Sequence, residues 1–148
     1  MIFDDSTIIA DARMEQVFEA LKSNDQEAIV AMFSNQALSE ADAFYDSLEA
    51  LLQYVEGSIL SWERTGGYGG KDEINAEGTG NRRKKTESRY NITTSEQEYH
   101  IAIYEYTIDT ANPDNVGIYS ICIISAEDYQ ETFFVFWGSG EAGINIGK

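Results

Sequence analysis

The sequence contains few of the residues on which metal, redox and disulfide chemistry depend. Among its 148 residues there is one cysteine, Cys122, and one histidine, His100. A single cysteine excludes an intrachain disulfide, a thiolate metal cluster and a Cys-x-x-Cys redox pair, and a single histidine excludes the motif H-E-x-x-H. We interpret Cys122 as inert core and His100 as a hydrogen-bonded surface or interface residue. We therefore predict no metal and no cofactor.

Basic residues are scarce as well. Ten lysines and arginines face 26 aspartates and glutamates, which gives a formal net charge of −16. Such a charge repels phosphate backbones and anionic membrane surfaces, so we predict that nucleic acid is not a partner. The sequence also lacks an apolar run long enough to span a membrane, and it lacks the charged and apolar regions of a signal peptide.

Glycine is present without the spacing that phosphate loops require. The stretch at about 65–81 is glycine-rich, but it contains neither G-x-x-x-x-G-K-[ST] nor G-x-G-x-x-G, and we interpret it as a flexible surface loop. Four of the ten basic residues follow it directly, from Arg82 to Lys85. They are interpreted as a charged edge strand that blocks aggregation or as partners in internal salt bridges, with a docking patch for an acidic partner as the alternative.

What the sequence does contain is a long block rich in β-branched and aromatic residues. Three runs, at 89–94, 99–109 and 116–124, are separated by polar breaks that favour turns, which predicts consecutive antiparallel strands. We expect Ile92 to pair with Tyr99, and Tyr104 to pair with Ile121. This register places Glu105 opposite Ser120, on an aliphatic face of the sheet.

Side chains alternate between the two faces of a strand, so the register assigns each residue to a face. The aliphatic face is predicted to contain Tyr90, Ile92, Tyr99, Ile101, Ile103, Ile118, Cys122 and Ile124. The opposite face is predicted to be rich in tyrosine, with Tyr104, Tyr106, Tyr119, Ile121 and Ile123 close together.

The amino-terminal third of the chain has the three-four apolar spacing of helices. We predict a first helix up to about Lys22, a short second helix with a capping box from Ser23 to Gln26, and a third helix from Ser39 to Gly57. Strands are further expected at 58–64 and 132–137, followed by an irregular tail. The sequence therefore predicts one α+β domain over residues 1–148, with three helices on one face of an antiparallel sheet of about five strands.

Three segments of the chain resemble a known family. They are IFDDSTIIADARMEQVFEAL and DQEAIVAMFSNQALSEA in the first third of the sequence, and EYTIDTANPDNVGIYSICII in its last third. They are similar to an uncharacterised family of exported, lipoprotein-type domains of Gram-positive bacteria, within the cystatin-like, nuclear transport factor 2-like superfamily. The resemblance implies a strongly curved sheet that forms a cone with helices on its concave face. It also implies an extracytoplasmic protein that is attached to the membrane only through a lipid anchor, which lies outside this chain. If Met1 is the native start, we expect a cytoplasmic protein instead.

The resemblance brings no catalytic motif, so the candidate sites depend on residue chemistry. A small ligand or a peptide in the cone would contact a mostly apolar lining with a few polar groups. The predicted ligand-binding residues are Trp62, Tyr90, Tyr99, Glu105 and Ser120. A desolvated Glu105 would suit general acid or base work in an enzyme of isomerase or dehydratase type; the alternative is that it pairs with a basic residue.

These observations leave three functions open and do not decide among them. The first is a non-catalytic binding module, and the second is an enzyme that uses Glu105. The third is an interaction protein, in which the tyrosine-rich face forms a homodimer because a patch of that size exceeds what a monomer usually exposes. Binding ranks above catalysis, because the sequence supplies no convincing second polar group beside Glu105.

Overall fold

The computed structural model describes residues 5–65, 69–74, 80–129 and 141–147. Within these residues the chain is α+β, and its helices pack against an open, mixed sheet. The helices are α1 (Asp5–Lys22), α2 (Gln26–Met32), α3 (Asn35–Glu40) and α4 (Phe44–Tyr54). The strands are β1 (Ile59–Arg64), β2 (Gly69–Ile74), β3 (Arg82–Thr94), β4 (Glu98–Asp109), β5 (Gly117–Ser125) and β6 (Gly143–Ile146). A 3-10 turn, Pro113–Asn115, joins β4 to β5.

The sheet has the strand order β1-β3-β4-β5-β6, and β2 also pairs with β3. β1 pairs with the second half of β3 and β2 with its first half, so both lie along the same edge of that strand. All of these pairs are antiparallel except β5 with β6, which is parallel. The antiparallel prediction is therefore confirmed for β1, β3, β4 and β5, and the irregular tail predicted for the carboxyl end is wrong at residues 143–146.

The helices differ from the prediction in number and in their amino-terminal caps. The expected third helix is two helices, because α3 ends at Glu40 and α4 begins at Phe44 after Ala43, which has a left-handed backbone with φ of 50°. Ser39 lies inside α3 and caps nothing. The cap of α2 is Asp25, whose side chain accepts a hydrogen bond from the backbone N–H of Ala28. Short polar side chains before a helix are near-equivalent caps, so spacing alone did not identify the right one.

The main core lies between the helices and one face of the sheet, which we call the helix-covered face. Met14, Val17, Leu48 and Leu51 supply the helical side of this core, and each is at most 1% exposed. On the sheet they meet side chains from alternate positions of β3, β4 and β5. These are Tyr90, Ile92, Tyr99, Ile101, Ile103, Ile118, Ile121 and Ile123.

The predicted pairing of Ile92 with Tyr99 is confirmed, but the pairing of Tyr104 with Ile121 is wrong by one residue. Tyr104 is opposite Ser120, and Glu105 is opposite Ile118, so Tyr119 is an extra residue in β5. This β-bulge puts Ile118 and Ile121, three residues apart, on the same face. Ile121 and Ile123 therefore lie in the main core, whereas Cys122 and Ile124 lie on the other face, which we call the outer face.

The segment at 65–81 also differs from the prediction. Residues 69–74, expected to be part of a flexible loop, form β2 and pair with β3. Arg82 and Arg83 therefore lie in a strand with neighbours on both sides, and each forms an ion pair with an acidic residue of β2. The salt-bridge interpretation of the basic cluster is confirmed for these two arginines, and the edge-strand interpretation is wrong. The strand predicted at 132–137 lies outside the described residues.

Candidate functional site

A cleft of about 630 Å³ opens at the end of the sheet where β3 begins and β4 ends. We call it the rim cleft. It is lined by α3, the end of β2, the beginning of β3, the end of β4, the 3-10 turn and the bulge of β5. Its volume lies within the range of about 300–1,000 Å³ that is usual for small-molecule sites.

One wall of the rim cleft is a continuous hydrogen-bond network. Nδ2 of Asn112 donates to Oε1 of Gln36 over 3.2 Å, and Nε2 of Gln36 donates to Oε2 of Glu40. The hydroxyl of Tyr119 donates to Oε1 of Glu40 over 2.6 Å. These side chains join the 3-10 turn, α3 and β5, and the backbone N–H of Ser34 at the start of α3 also donates to the carbonyl of Ile118 over 2.9 Å.

The carboxylate of Glu40 and the phenol of Tyr119 shift each other's ionisation. The hydrogen bond from Tyr119, followed by the one from Gln36, lowers the pKa of Glu40 below its ordinary value. The same hydrogen bond, reinforced by burial, raises the pKa of Tyr119 to about 12. At neutral pH the wall therefore holds an ionised carboxylate and a neutral phenol.

Aromatic rings form the centre of the cleft. Tyr106 and Tyr119 meet edge to face, with ring centroids 5.9 Å apart. The guanidinium of Arg83 lies 5.7 Å from the centroid of the Tyr106 ring, and Nζ of Lys85 lies 5.9 Å from it. The ring of Tyr106 is held by these contacts, while its hydroxyl has no hydrogen-bond partner among the described residues.

The opposite wall is basic, and acidic residues of β2 neutralise it. Nε and Nη2 of Arg82 donate to the two carboxylate oxygens of Asp72 over 3.0 and 2.6 Å. Arg83 donates through Nη2 to Glu73 over 3.2 Å. The hydrogen bond from Arg82 lowers the pKa of Asp72, so this pair stays charged at neutral pH.

Asp109 closes the floor of the cleft. Its carboxylate accepts a hydrogen bond of 3.0 Å from Nδ2 of Asn115 and one of 2.9 Å from the backbone N–H of Asn112. These bonds, that from Asn115 foremost, lower its pKa. Asp109 therefore fixes the turn between β4 and β5, and with it the position of Asn112.

Two of the residues predicted to line a cone, Tyr90 and Tyr99, are part of the packed interior, and a third, Trp62, is partly buried at its edge. Tyr90 and Tyr99 have no exposed surface. The hydroxyl of Tyr99 donates to the carbonyl of Tyr54 over 3.0 Å and accepts from the backbone N–H of Glu56, so it holds the end of α4. Trp62 packs edge to face on Tyr90 and donates to Glu15. The rim cleft contains none of the predicted ligand-binding residues.

Glu105 faces the helices, as predicted, but its carboxylate is occupied. Nε of Arg13 lies 3.0 Å from Oε1, and Nη2 of Arg13 lies 2.9 Å from Oε2. The Glu105 side chain is 7% exposed and that of Arg13 is 23% exposed. The alternative interpretation, pairing with a basic residue, is what the structure shows, and a substrate would have to displace Arg13 to reach either oxygen.

The predicted interface residues divide into two groups: Tyr104, Tyr106 and Tyr119 are neighbours, whereas Ile121 and Ile123 lie apart from them. Ile121 and Ile123 are in the main core because of the bulge, which corrects their assignment to the outer face. Tyr104 remains on the outer face but is only 5% exposed, and Ser120 lies on that face beside Cys122. Tyr106 and Tyr119 line the rim cleft. The homodimer stays a prediction; among the described residues, the patch that motivated it is reduced to the partly exposed Tyr106 and Tyr119.

His100 is held by its neighbours on the outer face. Its Nδ1 lies 2.6 Å from Oδ1 of Asn91, and its ring stacks on Tyr129 with centroids 3.8 Å apart. Burial lowers its pKa. Among the described residues we find no cluster of three or more metal-ligating side chains and no helix long and apolar enough to cross a membrane.

Several residues that line the rim cleft were not predicted as ligand-binding residues, namely Gln36, Glu40, Asn112 and Arg83. Each carries a weak signal, since Asn112 belongs to the turn NPDN and Arg83 to the basic cluster. Gln36 and Glu40 are spaced i and i+4 on α3, so they are neighbours on its surface. The sequence could not show that these three segments meet, because α3 is more than forty residues from Arg83, and Arg83 is 29 positions from Asn112.

A protein-family model matches residues 16–126, which is more than half of the chain. Its description is a domain of unknown function. No curated protein matches the chain. The match includes α3, β3, β4 and the bulge of β5, so all of the described residues that line the rim cleft lie within it.

Proposed function

The chain belongs to the DUF5104 family, whose description assigns no activity, and we propose from its geometry that it is a non-catalytic binding module for a small polar ligand in the rim cleft. The observation that carries the proposal is the juxtaposition of the network around Glu40 with the aromatic pair of Tyr106 and Tyr119 in one open cleft. A few placed polar groups beside aromatic surface are typical of ligand sites.

The arrangement suits binding better than catalysis. Glu40 and Asp109 are the carboxylates nearest the network, and lowered pKa values keep both ionised, whereas a general acid or base works best with a pKa near the working pH. Tyr119, with its raised pKa, is a weak proton donor. Glu105 is unsuited to proton transfer to a substrate, because Arg13 occupies its two carboxylate oxygens.

The polar side chains of the site are already held in place by hydrogen bonds, which lowers the entropy cost of binding a ligand. Asp109 fixes the turn that carries Asn112, and the side chains of Gln36 and Glu40 hold each other in place. Groups that are already ordered lose little conformational entropy when a ligand arrives.

A thermal-shift screen with small neutral, anionic and cationic molecules tests the proposal. A true ligand raises Tm, since at about 100 times Kd it stabilises the folded state by about 2.7 kcal/mol. We expect the shift to be lost in Glu40→Ala and kept in Glu49→Ala, a matched change of an exposed glutamate on α4. A shift that survives in Glu40→Ala would place the site elsewhere, and mass spectrometry should recover the ligand unchanged.

We further propose that the module works outside the cell, tethered through a lipid. The support is the resemblance of three segments to exported, lipoprotein-type domains. Palmitate labelling and membrane fractionation of the native protein test this, and an unlabelled protein in the cytosolic fraction would refute it.

A further inference from the structure

The charged groups of the rim cleft are already compensated within the protein. Arg82 is bound by Asp72 through two hydrogen bonds, and Arg83 by Glu73. Glu40 accepts from Tyr119 and from Gln36, and Asp109 accepts from Asn115 and from the backbone at Asn112. A charged ligand would therefore gain little net electrostatic energy from these groups, while it would still lose its own hydration.

Unused hydrogen-bond donors and acceptors, in contrast, remain in the cleft. A carboxylate offers about four lone-pair sites, and an amide NH₂ offers two donors. Glu40 uses two of its sites in the network, and the amides of Gln36 and Asn112 each use one donor there. The hydroxyl of Tyr106 can donate and accept. The cleft thus presents donors and acceptors side by side, at fixed positions.

The geometry points to a neutral, hydroxyl-rich ligand, and we infer that the rim cleft binds a short saccharide. Each sugar hydroxyl both donates and accepts, which matches the mixed groups of Gln36, Glu40 and Asn112. The C–H face of a sugar ring packs on aromatic surface, which Tyr106 and Tyr119 supply beside their polar ends. This inference rests on the proposed function and specifies its ligand class.

The location of the cleft in a strongly acidic chain supports the same class. The chain has a net charge of −16, yet the rim cleft is lined by two arginines and three glutamates or aspartates. The cleft is thus close to local charge balance, which favours neither cations nor anions. For a neutral ligand this balance costs nothing.

Titration of the full chain with defined probes tests the inference. The probes are cellotriose, maltotriose and N,N′-diacetylchitobiose as neutral saccharides, glycine as a zwitterion, and glutamate and citrate as charged molecules. Amide chemical shifts followed by two-dimensional NMR should move at Tyr106, Asn112 and Tyr119 with at least one saccharide. The affinity should be the same at low and high salt, because no net charge is neutralised.

Two variants test whether the named groups make the contacts. Tyr106→Phe removes only a hydroxyl, and Gln36→Ala removes the central amide of the network. Each should weaken saccharide binding about two- to tenfold, the effect of one neutral hydrogen bond. The matched controls Tyr45→Phe and Gln53→Ala change exposed residues of α4 and should bind as the wild type does.

The possible results are distinguishable. Saccharide binding that both variants weaken supports the inference. Binding of the charged probes alone at the cleft amides, with strong salt dependence, overturns the saccharide inference and leaves the proposed binding function standing. Absence of binding by every probe and by the wider thermal-shift screen overturns both. Saccharide binding that neither variant weakens also overturns the inference, because the named groups would then not hold the ligand.

Discussion

The hydroxyl of Tyr119, the extra residue in the bulge of β5, donates a hydrogen bond of 2.6 Å to Oε1 of Glu40 on α3. The bulge frees Tyr119 from the regular alternation of the strand, and the bond ties the strand to the helix. Since the same two side chains line the rim cleft, this contact connects the fold to the proposed function.

Replacing Tyr119 by Phe should raise the pKa of Glu40 toward its ordinary value, because the bond from Tyr119 is the foremost cause of the lowered pKa. A lowered folded-state pKa means that the bond stabilises the folded chain above the unfolded-state pKa, and this stabilisation is lost as pH falls through the folded one. Carboxyl ¹³C NMR titration measures the change. An unshifted Glu40 in the variant would contradict the prediction, and Tyr45→Phe is the control.

Replacing Arg13 by Met should lower the free energy of unfolding by about 3–5 kcal/mol, since it leaves the carboxylate of Glu105 buried without a partner. The double variant Arg13→Met with Glu105→Leu should recover most of the loss. Urea denaturation measures both. Arg82→Met is the control, because the Arg82–Asp72 pair is exposed and should change stability little. Equal losses of unfolding free energy in Arg13→Met and Arg82→Met would show that the carboxylate of Glu105 is not desolvated.

Replacing Ile121 by Ala should cost about 2–5 kcal/mol, the usual loss for a large side chain removed from a packed core. Ile8→Ala is the matched control, because Ile8 is 59% exposed and its truncation should stay within about 0.5 kcal/mol. The midpoints of the urea unfolding curves, at an unchanged m value, give the change in unfolding free energy for both variants. A small cost at Ile121 would show that its side chain is not part of the packed core.

Replacing Gly143 by Ala should be more damaging than replacing Gly80 by Ala. Both glycines have positive φ, 96° and 75°, so each substitution strains the backbone by about 1–2 kcal/mol. At Gly143 the new methyl would also lie 2.8 Å from Cβ of Ala41, whereas at Gly80 it meets nothing within 4 Å. The difference between the two losses of unfolding free energy therefore measures the effect of the close contact between β6 and the end of α3. Equal losses would show that β6 can move away from Ala41.

The sequence by itself determined the types of the main elements and much of the core. The three-four apolar spacing fixed α1, because only a helix brings Met14 and Val17 to one side. Alternation and turn residues fixed the second half of β3, β4 and their register at Ile92 and Tyr99, because a short polar break allows few hairpin geometries. These features are local, so the information for them lies within about a dozen consecutive residues.

The tertiary structure alone decided where regular patterns are interrupted and which distant segments meet. A strict two-residue period from Ile118 predicts Ser120, Cys122 and Ile124 under the helices, and the single extra residue at Tyr119 reverses that assignment. Apolar residues on both sides of the strand make either register acceptable locally, so only packing against the helices selects one. The rim cleft depends on that choice, because the bulge directs Tyr119 toward Glu40, a residue 79 positions away that no local pattern could have paired with it.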